Sequence, residues 1–196
     1  TPYLEKVYAE IQSFRMEPDA DDRHLTQFAL FELEHQGDLD ELIENIEGVV
    51  RSAVDEVTFL DTEIHDSLGM SPEWIDFLRD LTFDKITYTE AVDFLQSSAF
   101  PNLEWGDDLK AHHEAELTAH YGPVFVTHYP LPIKFFNMKE NDADASVVNS
   151  TDMLLPLAGE SAGGAEREHE PDYGRGDTLD GVPPEAHLPF RQGRKR

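Results

Sequence analysis

The stretch Phe14-Arg15-Met16-Glu17-Pro18-Asp19-Ala20-Asp21-Asp22-Arg23-His24-Leu25-Thr26-Gln27-Phe28 decides how the rest of the chain is read. Residues 5–15 alternate apolar and polar, with Val7, Ala9 and Ile11 in step, which is the period of a half-buried strand. Residues 25–34 carry Phe28, Leu30 and Phe31 and read as a second strand. A short acidic loop, 18–24, joins them, so the pair is expected to form an antiparallel hairpin. Arg15 and Glu17 stand two apart on a strand and share a face. Arg23 and His24 follow the loop, and Phe28 lies just beyond. A guanidinium meets phosphate oxygens bidentately, and an aromatic face stacks on a base, so this strand–loop–strand suits a nucleotide. The same Arg–Glu spacing also describes an ordinary surface pair that contributes little, and the stretch alone does not choose between them.

Working outward, Asp38 with Glu41 three residues on is a capping-box variant. Leu39, Leu42, Ile43, Ile46, Val49, Val50, Ala53, Val54 and Val57 then recur at helical spacing, a stripe that reads as core. Ser71-Pro72 opens a short helix with Trp74, Phe77 and Leu78. Lys85–Tyr88 reads as a short strand or turn, and Thr87 with Glu90 caps a helix through Ala91, Val92, Phe94 and Leu95. A helix is expected over 108–120, ended by Gly122. Residues 123–127 read as a buried strand, and 135–140 and 146–157 as further strands. From Glu170 onward the chain is rich in Gly, Pro and charge, a composition expected to be disordered. The domain reading is therefore an ordered unit over 1–170 and a tail over 171–196. Antiparallel strands interrupted by helices define an α+β class, an antiparallel sheet flanked by helices.

Composition narrows the chemistry. The chain has 196 residues, with 15 Lys+Arg against 41 Asp+Glu, a net charge of −26. Such a charge repels nucleic acid at low salt. The acids are spread along the whole chain, which fits a solvating surface in a salt-rich, halophilic cytoplasm, where the screening length falls to ~3 Å near 1 M salt. There is no cysteine, which excludes disulfides, thiolate metal sites and cysteine nucleophiles. No apolar run approaches the ~18 residues a membrane span needs, and no signal-peptide pattern opens the chain. The chain begins at Thr1 rather than Met, as a piece of a longer protein would.

A second constellation is Asp152 and Glu160, flanking Met153-Leu154-Leu155-Pro156-Leu157-Ala158-Gly159. Two carboxylates at a strand end beside a glycine-containing turn can hold Mg²⁺ next to phosphates. Gly163 and Gly164 allow close backbone approach to a ligand, and Arg167 adds a cation. With 41 acids in the chain, close carboxylate pairs also arise by chance. His112, His113 and His120 lie on one expected helix, but His113 and His120 are two turns apart, too far for one ion; they read as surface or partner-packing residues. The His-Glu-x-x-His motif, the P-loop, the Rossmann fingerprint and the Gly-x-Ser-x-Gly elbow do not occur.

Taken in order, these segments resemble the catalytic core of class II aminoacyl-tRNA synthetases of the aspartate, asparagine and lysine subgroup, nearest to asparaginyl-tRNA synthetase and asparagine synthetase A. Phe14-Arg15-Met16-Glu17 with Arg23-His24-Leu25-Thr26-Gln27-Phe28 is similar to the family's motif 2. Ile86-Thr87-Tyr88-Thr89-Glu90-Ala91, Trp105-Gly106-Asp107-Asp108-Leu109 with His113-Glu114, Pro123-Val124-Phe125-Val126-Thr127 with Tyr129-Pro130, Ile133-Lys134 and Phe136, and Asp152 with Gly159-Glu160, Gly163-Gly164 and Arg167-Glu168 continue it.

The resemblance implies a partial class II catalytic domain that forms an aminoacyl-adenylate from ATP and asparagine or aspartate, with tRNA as acceptor in a true synthetase. It implies that Arg15 grips the α-phosphate as the catalytic residue. Glu17 contacts the adenine end or the amino acid, Arg23 and His24 reach the phosphates, and Phe28 stacks on adenine. Asp152 and Glu160 hold Mg²⁺, and Arg167, Gly163, Gln27 and Lys139 border the amino acid. A cytoplasmic location and a homodimer of the full-length protein follow by the same analogy.

Departures from the family pattern sit at the amino-acid side. Gln27 replaces an expected Glu, Asn137 an aromatic, and Lys139 an Arg, which is not conservative at a bidentate site. Motif 1, motif 3 and the anticodon-binding barrel have no counterpart in these 196 residues. Two other readings stand beside the ligase: an asparagine synthetase A-type enzyme that captures ammonia, and a non-catalytic paralogue that binds nucleotide or a partner.

Overall fold

The computed structural model describes residues 4–14 and 25–168. The first two strands, β1 (Lys6–Phe14) and β2 (Gln27–His35), pair antiparallel as the alternation predicts, with Phe14 opposite Gln27. They form a separate two-stranded ribbon. Tyr8 and Phe31 stack on one another across it, ring centroids 5.7 Å apart, and both are exposed.

The ribbon leads into α1 (Leu39–Thr58), whose capping box forms as its sequence predicts. The Glu41 amide donates to Asp38 Oδ1 at 3.0 Å, and the Asp38 amide to Glu41 Oε2 at 3.2 Å. Two short helices follow, α2 (Thr62–Ser67) and α3 (Pro72–Arg79). Sequence periodicity did not expose α2, because six residues are under two turns; it is anchored by buried His65, whose Nε2 lies 2.8 Å from the Val57 carbonyl oxygen.

The main sheet has four strands in the order β3 (Asp84–Thr87), β4 (Val124–Thr127), β5 (Ser150–Leu155) and β6 (Gly159–Ala165). Between β3 and β4 run α4 (Tyr88–Ser98) and α5 (Ala111–Tyr121), a crossover that makes β3 and β4 parallel; the other two pairings are antiparallel. The α+β class holds, and the sheet is mixed rather than wholly antiparallel. Two helices must be traversed before the chain returns, which is what parallel neighbours require.

Successive β4 residues face opposite ways, so Val124 and Val126 meet α4 and α5 in a core with Tyr88, Leu95, Leu117 and Leu154. Phe125 faces the other side, where Met153 and the α1 residues Leu39 and Ile43 cover it. Gly122 ends α5 at φ +73°, a conformation that suits glycine.

Three expectations need correcting. Residues 135–140 do not form a strand: after a single 3₁₀ turn (Leu131–Ile133) they run as an irregular segment touching the sheet through isolated bridges, Met138 to Arg167 and Glu140 to Val148. The Met138 amide turns back to the Phe135 carbonyl at 3.1 Å, so the backbone is curled where a strand would be straight. The strand expected over 146–157 is β5, shortened to six residues. His113 is buried rather than on the surface; the Lys110 amide donates to its Nδ1 at 3.1 Å, so it caps α5 while packing edge-on against Phe100. The 171–196 tail, together with Arg15, Glu17, Arg23 and His24, lies outside the described residues.

Asp38→Ala removes the acceptor of the α1 cap and is expected to lower stability by about 1 kcal/mol, read as an earlier midpoint in chemical denaturation; an unchanged midpoint would show that packing alone holds this end of the helix.

Candidate active site

The site begins with a shift of register. From Asp152 opposite Gly163 to Met153 opposite Ala162 the β5–β6 ladder is regular; beyond it Leu154 faces Glu160 and Leu155 faces Gly159. Ser161 is thus the extra residue of a β-bulge. In an unbroken ladder Leu154 would face Ser161, and Glu160 would point to the α1 side. The bulge turns Glu160 onto the face that carries Asp152, since directly opposed residues share a face. Gly163 sits between the two acids: a Cβ there would lie 3.1 Å from Asp152 Oδ1 and 3.1 Å from Glu160 Oε1. Both oxygens are therefore within reach of one small space that only a glycine leaves clear.

A cleft of about 370 Å³ opens over this pair, lined by Lys134, Phe136, Asp152, Glu160, Gly163 and Arg167 among others. Lys134, just past the 3₁₀ turn, donates to Asp152 Oδ2 at 2.8 Å and stands 3.9 Å from the centroid of the Tyr129 ring. The Glu160 amide points at Glu114 Oε2 of α5, 3.4 Å away. Burial raises the Glu160 carboxyl to about 7, and the Asp152 charge pushes the same way, partly offset by Lys134. Burial also holds the Tyr129 phenol protonated well above its ordinary range, reinforced by the Asp152 charge and a hydrogen bond to its carboxylate. Two acids this close are hard to ionise together, a repulsion that a cation between them would relieve. Among the described residues no set of three or more His, Cys, Asp or Glu gathers as metal ligands, so an ion here would rest on two carboxylates, as Mg²⁺ beside phosphates commonly does.

Of the residues singled out in the sequence, Asp152, Glu160, Gly163 and Arg167 meet in this cleft. The Arg167 guanidinium donates to Asn137 Oδ1 at 3.2 Å. Lys139 does not line the cleft; its ammonium pairs with Glu166 Oε2 at 3.2 Å and Asp142 Oδ2 at 3.4 Å. Gln27 and Phe28 belong to the ribbon, where the Gln27 amide reaches Gln12 Oε1 at 3.3 Å and Phe28 is half-buried. Sequence reasoning gave no role to Lys134, Tyr129 or Glu114, although all three lie in segments that carry the family resemblance.

The sequence and the fold both match a known family. A model of class II tRNA synthetases (D, K and N) matches residues 3–176, and the chain belongs to that family. Asparagine–tRNA ligases are among the relatives it matches. That of Solibacter usitatus is 37% identical, over 85% of this chain and 38% of its own length. That of Pyrococcus horikoshii is 39% identical, over 86% and 39%. The crystal structure of asparaginyl-tRNA synthetase from Pyrococcus horikoshii complexed with asparaginyl-adenylate matches with a TM-score of 0.78 at 38% identity, covering 85% of this chain and 39% of that one. Aspartyl-tRNA synthetase from Entamoeba histolytica, at 23% identity and a TM-score of 0.65, shares the fold. The chain spans about two-fifths of the length of the curated relatives it matches.

Two outcomes test this geometry. The folded protein holds the Glu160 proton more tightly than an unfolded chain does, where glutamate titrates near 4.5. The stability from this group is therefore present below about 4.5 and lost as pH rises through about 7. Glu160→Gln should flatten that part of the stability–pH curve and be the more stable protein at pH 8, by no more than about 1 kcal/mol because water at the cleft mouth screens the charges. Deleting Ser161 should remove the bulge and leave Glu160 opposite Leu154, on the face of Asp152, because that pairing is then the regular register. Carboxyl-carbon NMR should then still find Glu160 titrating near 7, and a fall toward 4.5 would refute this register.

Proposed function

We propose that this chain supplies the adenylate-forming core of an asparagine–tRNA ligase. The observation that carries the reading is the convergence of Asp152 and Glu160 beside Gly163, in a chain 37–39% identical to such ligases. In this reading the carboxylate of asparagine attacks the α-phosphorus of ATP, giving asparaginyl-adenylate and pyrophosphate, and the activated group then passes to tRNA. Little acid–base chemistry is needed, and positioning and charge neutralisation supply most of the rate.

Arg15 takes the α-phosphate and the charge that develops on it. Arg23 and His24 reach the outer phosphates, Phe28 stacks on adenine, and Glu17 orients the nucleotide or the amino acid. Asp152 and Glu160 hold Mg²⁺, which when bound neutralises phosphate oxygens. Gly163 keeps the space between the acids clear. Arg167 and Gln27 face the amino acid, and Lys139 acts through Glu166, the neighbour of Arg167. The setting is a cytoplasmic homodimer working in translation, with the dispersed acids serving solubility at high salt. No helix among the described residues is long and apolar enough to cross a membrane.

Pyrophosphate exchange into ATP by the full-length protein tests this. Exchange should depend on asparagine and Mg²⁺, and both Arg15→Ala and Glu160→Ala should lower it by 10²-fold or more. Exchange driven by aspartate, with ammonia consumed, would replace the reading with an asparagine synthetase A-type enzyme. No exchange with either amino acid would leave a nucleotide-binding paralogue.

A further inference from the structure

The pair Lys134–Asp152 differs from the other ion pairs recorded among the described residues. Its side chains are 18% and 11% exposed, whereas Lys85–Asp40 and Lys110–Asp108 are each more than half exposed at both partners. The ammonium is held from two sides, by Asp152 Oδ2 at 2.8 Å and by the face of buried Tyr129 at 3.9 Å. Asp152 thus spends one oxygen on Lys134 and turns the other, Oδ1, toward the space shared with Glu160 Oε1. Glu160 lies among the charges of Asp152, Glu114 and Lys134, and of these only Lys134 is positive.

From this arrangement we infer that Lys134 is a built-in counter-cation that limits how tightly the carboxylate pair binds a divalent ion. It does so in two ways. It keeps Asp152 Oδ2 engaged, so that oxygen is not free for a metal. It also places a fixed positive charge in the same cleft, so an arriving dication meets repulsion as well as attraction. The pair then binds Mg²⁺ weakly alone and firmly only when a polyanionic phosphate chain adds its oxygens, so metal and nucleotide enter and leave together. A neutral side chain at 134 would make the empty cleft a standing metal trap. This rests on the assignment of Asp152 and Glu160 as the ligand pair under Proposed function.

The test is direct Mn²⁺ binding to the full-length protein without nucleotide, followed by the electron paramagnetic resonance signal of free Mn²⁺. Glu160→Gln defines the background from surface carboxylates. Lys134→Met is expected to bind Mn²⁺ on the order of tenfold more tightly than wild type, as lifting one like-charge repulsion at a water-open site implies. Lys134→Arg, which keeps the charge, should stay near wild type. Lys134→Gln repeats the measurement should the Met variant fail to fold, with thermal unfolding as the check on each protein. If Glu160→Gln weakens binding but neutral variants at 134 bind no more tightly than wild type, Lys134 merely orients Asp152; the inference falls and the ligand assignment stands. If Glu160→Gln leaves binding unchanged, both fall.

Discussion

One extra residue in one strand sets the direction of the chemistry. A β-ladder fixes which face every side chain takes, and a shift of a single residue exchanges the faces. Ser161 supplies that shift between Met153 and Leu154. Ahead of it, β6 continues the regular pleat that puts Gly163 opposite Asp152; behind it, Glu160 is carried across to the same side. The α4–α5 core below and the α1 core on the opposite face hold the hairpin between them, so Asp152 and Glu160 meet in a cleft instead of separating to two sides of the sheet.

Meeting there is electrostatically unfavourable, and the surroundings show the response. Glu160 retains its proton toward neutral pH, Tyr129 resists ionisation, and Lys134 lies against Asp152. None of this depends on the net charge of −26. Charges on the outer surface are screened by salt over a few ångströms, whereas the cleft residues act on one another at contact distance. The acidity of the chain as a whole and the acidity of the cleft are separate matters.

Much of the scaffold was legible because local rules and tertiary packing agree. The alternation in 5–15 and 25–34 gave the ribbon, and Asp38–Glu41 and Thr87–Glu90 marked helix starts to the residue. Asp152, Glu160, Gly163 and Arg167 were legible as ordered motifs. What was not legible has identifiable causes. Gly159–Ala165 contains no β-branched or aromatic residue, so nothing announced a strand, still less a bulge within it. Phe135 and Phe136 look like strand residues, yet both are exposed; they border the cleft instead of a core. Lys134 gave no signal because a lone lysine among so many acids has no local pattern. Its partner is 18 residues away and is found only when the loop folds over the sheet.

Glu166 has a mechanical consequence. One of its carboxylate oxygens takes the backbone amide of Leu39, the first residue of α1, at 2.9 Å, and the other takes the Lys139 ammonium. The next residue along the chain is Arg167. A rod of 20 residues, about 30 Å long, is therefore pinned at its tip to the neighbour of the arginine that faces the cleft. The N-terminus of that rod and the backbone leading into Arg167 thus share one anchor, Glu166.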